Sequence, residues 1–375
     1  MVKIANIVFN PFRNDSRVLK ESTSLGKNGY DVEVIAHLDK NLEQIQKEEN
    51  FIVKRFSYLD RTISKNSLAK LKAYFIYVKE SIDYCKDFDI LHCNDLNALP
   101  IGFIIKKLYK KDVKIVYDAH EYETETNGLH GIKKKITQFL ESFFIKYTDK
   151  VICVSDAIAN EYVKLYNIKK PDLVLNTPLY QVVEKKDIFR ETFNISKDKT
   201  VFLYQGGLSS GRGIEILLET FKTIENKNAV IVFMGYGPLE SLVQNATKEY
   251  ENIYFHKAVS PEVLLNYTSS ADFGISTIED SCLSYRYCLP NKMFEYMMAE
   301  IPLIVSNLPE MKRLVENNKI GVVAQQNTSE GLQVAIEKAI KLNQEELQEN
   351  LKKVKEVYNW EEQEKVLLNL YKELE

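Results

Sequence analysis

The chain has 375 residues, 45% hydrophobic and 27% charged, with a net charge of −3. Those proportions exclude a disordered chain, a coiled-coil rod and a collagen-like fibre, and the length favours two domains, each able to bury a core. A pI near 6.1 lies far below the range of nucleic-acid binders, so no nucleic-acid partner is expected.

In chain order the elements read as strand and helix in alternation, twice over. Lys3 to Phe9 is predicted as a short strand, Arg17 to Lys27 as a helix with Val18, Leu19 and Leu25 on one side and Gly29 closing it, and Val32 to Ala36 as the next strand. Further strands are predicted at Ile90 to Cys93, Val113 to Tyr117 and Val151 to Val154. A second unit begins after Asn176, Thr177 and Pro178, with a strand at Thr200 to Tyr204 and a helix whose apolar positions Ile214, Leu217, Leu218, Phe221 and Ile224 recur at helical spacing. Strands at Val230 to Met234, Ile253 to Phe255, Phe273 to Ser276 and Leu303 to Val305 follow. Strands alternating with helices predict parallel sheets covered on both faces. The expected fold class is therefore α/β, two Rossmann-like doubly wound parallel-sheet domains over 1–178 and 179–359. Gln344 to Glu375 reads as helix, and its closing stretch of about 360–375 carries the apolar stripe Val366, Leu367, Leu370 and Tyr371. With no strand left to serve, that stretch is expected to pack back on the first domain.

No apolar run approaches the roughly 20 residues of a spanning helix. The start MVKIANIVFNPF has no basic region or cleavage site, and Cys85, Cys93, Cys153, Cys282 and Cys288 are widely spaced without a CxxC. A cytoplasmic location is expected, without disulfides or a zinc site. Residues 1–180 hold 28 Lys and Arg against 24 Asp and Glu, the remainder 22 against 29. Lys106, Lys107, Lys110, Lys111 and Lys114, then Lys133, Lys134 and Lys135 ahead of the apolar stretch Phe139 to Ile145, could attract an anionic membrane surface or simply form solvated helix faces.

Open parallel sheets bind ligands beyond the carboxyl ends of their strands. Polar residues gather there: Asn10 to Asp15, Asn94 and Asp95, Asp118 to Glu121, Gln205 to Arg212, and Gly235 to Pro238. In YQGGLSSGRGIEILL, Gly206, Gly207, Gly211 and Gly213 free the backbone between strand and helix, and Arg212 stands at the helix start, a phosphate-binding constellation that is neither a Walker A loop nor GxGxxG. In YRYCLPNKMFEYMMAEIP, Pro290 suits the first helical position, Asn291 and Lys292 the first turn, and Glu295 lies among Met293, Phe294, Tyr296, Met297 and Met298. A buried carboxylate needs a partner, either ribose hydroxyls or Lys292 three residues earlier. VYDAHE puts His120 on a loop just after a strand. Asp87 and Asp89 form a DxD at the start of a strand, the wrong end for a ligand, and no metal site is expected.

The chain resembles a bacterial glycosyltransferase of the GT-B fold, glycosyltransferase family four. The resemblance runs through SRVLKESTSLGKNGYDVEVIA, DILHCNDLNALPIG and IVYDAHE, is most specific in YQGGLSSGRGIEILLE, VFMGYGPLE and LPNKMFEYMMAEIPLIVSNLPE, and closes with YNWEEQEKVLLNLY. It implies two domains facing across a cleft, the first binding acceptor and the second the nucleotide-sugar donor. By position, Arg212 and Lys292 would hold the donor diphosphate, with Gly206, Gly207, Gly235, Tyr287, Cys288, Leu289, Pro290 and Asn291 lining the donor site. Glu295 would bind ribose and His120 would reach the donor sugar as a catalytic group. Asp15, Arg17, Asp95 and Glu121 would lie on the acceptor side. Two departures stand out: Tyr287 replaces the first glutamate of the family's E-x7-E motif, and Gly207 stands where many members carry a phosphate-binding Arg.

The resulting expectation is a retaining hexosyltransferase that uses a nucleotide-diphosphate sugar, UDP-linked, as co-substrate and needs no obligatory cofactor. Its acceptor would be a glycan or a polyprenyl-linked carrier in surface polysaccharide synthesis, with peripheral contact at the inner face of the membrane. A non-hydrolysing nucleotide-sugar epimerase and an inactive glycosyltransferase-like binding subunit are the alternatives.

Overall fold

A computed structural model describes residues 1–13, 15–56 and 67–375, which divide into two units, Met1–Leu175 with Gln363–Glu375, and Asn176–Glu362. In the first unit, apolar runs such as KIANI and ILHCN become strands buried along most of their length, as strands covered on both faces must be. They are β1 (Lys3–Ile7), β2 (Asp31–His37), β3 (Ile45–Lys47), β4 (Ile52–Phe56), β5 (Ile90–Asn94), β6 (Lys114–Ala119), β7 (Lys150–Cys153) and β8 (Asp172–Leu173). Their order is β3-β4-β2-β1-β5-β6-β7-β8, parallel except for β3 against β4. The second unit has β9 (Thr200–Gly207), β10 (Ala229–Tyr236), β11 (Ile253–Lys257), β12 (Phe273–Ser276), β13 (Leu303–Ser306) and β14 (Gly321–Ala324), all parallel in the order β11-β10-β9-β12-β13-β14. Each sheet reverses its winding once, between β1 and β5 and between β9 and β12, the two switch points where such sheets hold ligands.

Several boundaries differ from the sequence expectation. The first strand ends at Ile7 rather than Phe9. β3, β4, β8 and β14 were not anticipated: they are short, and β4 carries Arg55, a residue that argues against a core strand. Arg55 is nonetheless buried, its guanidinium bonded to the Pro11 and Glu43 carbonyls and to Gln46. The C-terminal helix is two helices, Gln344–Lys355 and Trp360–Lys372, because Asn359 caps the second by accepting the Glu362 amide at 3.0 Å. Within the first unit, Leu367, Leu370 and Tyr371 are buried and Gln363 accepts the Leu175 amide. Among the described residues no helix is long and apolar enough to cross a membrane.

The helix Asn291–Met298 is seated on the second sheet by one tyrosine. The Tyr296 hydroxyl accepts the Gln205 amide and lies 3.1 Å from the Leu203 and Ile275 carbonyls, while its ring occupies the space a side chain at Gly274 would need. Gly274→Ala is expected to cost about 1–3 kcal/mol through overpacking and to lower the thermal midpoint by several degrees. An unchanged midpoint would show that the helix can shift without loss.

Candidate active site

In the second unit the loop after β9 is set by glycine. Gly206 (φ +117°) and Gly207 end the strand exposed, and Gly213 (φ +74°) packs so closely on Thr277, at the end of β12, that a Cβ there would overlap the threonine. Thr277 donates to the Arg212 carbonyl at 3.2 Å, fixing Arg212 just ahead of the helix Ile214–Thr223. The Arg212 guanidinium sits 4.9 Å from the centre of the Tyr285 ring. The Lys292 side chain runs beneath Gly206 and is buried, its Nζ 3.5 Å from the centre of the Tyr204 ring and, among the described residues, without a hydrogen-bond partner. Burial above all, and then Arg212, lower its pKa from the ordinary 10.5 to about 7, with Glu295 and Cys288 pulling weakly the other way. The first-turn amides of Asn291 and Lys292 open toward the same side, as at any helix N-terminus. Two cations, a helix start and a glycine turn are thus brought together, with no ion pair to either cation among the described residues.

One turn on, the partly buried Glu295 accepts a hydrogen bond from the Gln205 amide group, and Gln205 in turn accepts from Thr268 at 2.9 Å. The Lys292 ammonium makes no hydrogen bond to Glu295, so the internal partner that the sequence left open is Gln205. Pro290 is the cap of the helix Asn291–Met298, one position earlier than expected, and Tyr287 to Pro290 form a half-buried loop before it. The Cys288 thiol is pushed up to about 12, first by burial. Gly235, expected among the donor contacts, is instead buried against the Gly206 carbonyl and packs β10 onto β9. Arg286 grips Asp280 through Nε and Nη2, at 3.0 and 2.6 Å, so each is committed to the other.

In the first unit the switch point between β1 and β5 holds a buried charge cluster. Arg17 Nε and Nη2 donate to both Asp118 oxygens at 2.7 and 2.8 Å, Nη1 donates to the Val174 carbonyl, and Nε lies 3.1 Å from Glu21. His92 Nε2 faces Asp118 at 3.4 Å and Glu21 at 3.6 Å, and its Nδ1 meets the Tyr371 hydroxyl at 2.6 Å. Burial would raise the Asp118 pKa, but Arg17 and His120 hold it well below the carboxylate range. Glu21, for which burial dominates, is raised to about 7. Glu21, His92 and Asp118 together have the donor set of a metal site, but Arg17 already supplies its cation.

His120 stands at the rim of that cluster, 24% exposed at its side chain, with Nε2 2.9 Å from Asn94 Oδ1 and 3.4 Å from Asp118. Burial disfavours its charge, yet Asp95 and Asp118 overcome that and raise it to about 10, so it is an imidazolium at neutral pH. Asp95 opens a helix at φ +59°, a strained conformation for a non-glycine residue, and its carboxylate with burial holds Glu123 well above the usual range. Glu121 is exposed beside them. Two acceptor-side assignments change character here. Asp15 is the cap of the helix Ser16–Lys27, accepting the Val18 amide at 3.2 Å and the Asn10 side chain at 2.8 Å, and Arg17 is 3% exposed with its donors spent inside. Sequence reasoning missed Glu21, His92, Tyr371, Tyr204 and Tyr285, and named Gln205 only as a rim residue; the legible signal was a polar side chain in an otherwise apolar strand, as with His92 in ILHCN.

The depressed Lys292 gives a signed pH dependence. Below about 7 the lysine is charged folded or unfolded; between about 7 and 10.5 only the unfolded chain binds the proton, so its contribution makes stability rise with pH across that window. Lys292→Met should raise unfolding free energy near neutral pH by about 1–3 kcal/mol and remove that dependence. Pyrophosphate binding to the unsubstituted protein near pH 8 should take up about one proton, read by calorimetry in buffers of different ionisation enthalpy. Proton uptake that persists in Lys292→Met would place the titrating group elsewhere.

The family model described as Glycosyltransferase Family 4 matches residues 16–176, and that described as Glycosyl transferases group 1 matches residues 185–356. The capsular polysaccharide biosynthesis glycosyltransferase CapM of Staphylococcus aureus is 21% identical over 372 residues, covering 94% of this chain and 93% of CapM. Among solved structures, sucrose-phosphate synthase of Thermosynechococcus elongatus is similar with a TM-score of 0.82 at 17% identity, covering 100% of this chain and 99% of that one. HepE of Anabaena in complex with UDP is similar with a TM-score of 0.74 at 14% identity, covering 100% of both chains. With a family 4 domain followed by a group 1 domain, and with two parallel-sheet units matching these structures, the chain is a glycosyltransferase of the GT-B fold.

Proposed function

We propose that the protein is a retaining hexosyltransferase that moves a sugar from a nucleotide-diphosphate sugar, UDP-linked, to a hydroxyl of a glycan or polyprenyl-linked acceptor in bacterial surface polysaccharide synthesis at the cytoplasmic face of the membrane. The observation that carries this reading is the buried Lys292 ammonium, held without a hydrogen-bond acceptor beside Arg212, Gly206 and a helix start, an arrangement that suits a diphosphate. Glu295, one turn on and oriented by Gln205, is suitably placed for ribose hydroxyls. The UDP complex of HepE and the capsular role in CapM's name support the donor and the pathway class.

The chemistry asks for charge stabilisation as the anomeric carbon–oxygen bond breaks and negative charge collects on the departing diphosphate. Arg212, Lys292 and the helix amides would meet that charge without reorganising. The acceptor hydroxyl then attacks from the face the diphosphate leaves, and its proton passes to a departing phosphate oxygen. The electrostatics of the first unit favour this retaining course: His120 is already charged, and burial with Asp95 raises the Glu123 carboxyl well above its usual range, which suits neither to act as a base. His120 would instead donate toward the donor sugar, with Asp95 and Glu121 on the acceptor side. Tyr287 in place of the usual glutamate would give the donor sugar a different set of contacts.

Thermal stabilisation by UDP, GDP, ADP and CMP tests the donor class, since ligand at about 100 times its Kd adds roughly 2.7 kcal/mol. UDP should give the largest shift, and Glu295→Ala should remove most of it. No shift with any nucleotide would sink the reading. Arg212→Ala should leave the fold intact and lower kcat by about 10²–10³. Gly207 faces open space, so Gly207→Arg should fit and tighten UDP binding; weaker binding would place the diphosphate elsewhere.

A further inference from the structure

The helix Gly131–Phe144 is built inside out. On one side Glu141 is fully buried and its carboxylate accepts the hydroxyls of Tyr117, Tyr162 and Tyr166 at 2.5–2.6 Å. Lys134 and Gln138, on the same side, reach Glu125 at 2.6 and 3.3 Å. The opposite side carries Ile132, Ile136 and Phe139, at i, i+4 and i+7, with Leu140 beside them; Ile132 is 77% and Phe139 69% exposed, while Phe143 packs its ring on Phe103 and Tyr147. A surface helix ordinarily turns such a stripe inward and leaves its charges in water. Here three tyrosines hold the carboxylate in and so force the apolar stripe out, where it needs cover.

Charge selects what covers it. Successive helix residues lie ~100° apart, so Lys133 and Lys135 fall on the two shoulders of the stripe while Lys134 points inward. Both shoulder lysines are exposed, and the only acid of the helix is the buried Glu141. The outer face is therefore apolar and purely basic, with stems that can lie along the stripe and ammonium groups level with a layer of phosphates. The other lysine cluster adds less than the sequence suggested, because Lys106 pairs with Asp149, Lys110 with Asp89, and Lys107 lies over the Tyr147 ring.

We propose that helix Gly131–Phe144 is an interfacial anchor that lays Ile132, Ile136 and Phe139 into an anionic bilayer surface, with Lys133 and Lys135 at the headgroups. Its inner face grips Glu125, in the turn Glu123–Glu125 that follows His120, so docking would bring the His120 rim to the lipid surface. The docking stands on the helix alone; that it serves a lipid-borne acceptor rests on the function proposed above.

Flotation with phosphatidylcholine vesicles, with and without phosphatidylglycerol and without any substrate, tests it. The protein should float with the anionic vesicles at low salt, and either Phe139→Glu or the pair Lys133→Glu and Lys135→Glu should weaken binding about tenfold or more, with thermal midpoint and UDP-induced shift unchanged. Phe139→Trp should show a blue-shifted emission on anionic vesicles. Absence of flotation, or flotation undiminished in Phe139→Glu, would overturn the anchor. So would a self-associated species in sedimentation that Phe139→Glu dissolves while vesicles are ignored, because the stripe would then be an interface between copies. A nucleotide shift that fails while flotation succeeds would count against the transferase reading and leave the anchor standing.

Discussion

The first unit is organised around one buried guanidinium. Arg17 binds both oxygens of Asp118 and lies against Glu21, and each of those contacts decides the protonation of something else. Asp118 stays ionised because Arg17 is there, His120 stays charged because Asp95 and then Asp118 outweigh its burial, and His92 is fixed between the two carboxylates and the Tyr371 hydroxyl. Breaking a buried pair by removing one partner typically costs about 3–5 kcal/mol, since the other charge is left without compensation. The same geometry joins the C-terminal segment to the rim: Tyr371 touches His92, His92 faces Asp118, and Asp118 faces His120. A segment that looks like a closing strap thus sits two side chains from the charged histidine.

The second unit solves the opposite problem. Lys292 is buried over an aromatic ring, pressed by Arg212 with Glu295 offsetting it only in part, and driven toward its neutral form. A lysine driven toward its neutral form costs the folded domain stability near neutral pH, which an anion bound beside it would offset. The first unit thus pairs its buried charges within the chain, while the second leaves a lysine and an arginine side by side.

Much of this was legible before any coordinates. Parallel strands covered on both faces must be near-continuous apolar runs, so the central strands β1, β5, β9 and β10 announced themselves, and with them the rims where ligands bind. The glycine turn before Arg212 was equally plain, because backbone freedom followed by a helix start has few other uses. The short strands β3, β4, β8 and β14 were not, since they carry little periodicity and one contains a buried arginine. Arg17, placed on the acceptor side by resemblance, is buried against Asp118, a partner 101 residues away that no local pattern shows. Tyr371 and His92, 279 residues apart, meet through topology that no local pattern encodes.

The features that defeat local rules share a physical logic. A lysine should not be buried without an acceptor, an aspartate should not open a helix at positive φ, and phenylalanine should not stand on the water side of a helix whose glutamate is inside. A stable chain violates such rules only where the surrounding structure enforces it, and here the enforcing groups can be named. The Tyr204 ring and the Gly206 turn hold Lys292, and three tyrosines around Glu141 turn the helix Gly131–Phe144 over. For the helix Gly131–Phe144 the enforced side is complete within the protein, and the side left without cover is the one that faces outward. Function is therefore written less in the residues that pack well than in those the packing compels to wait for something from solution or from a surface.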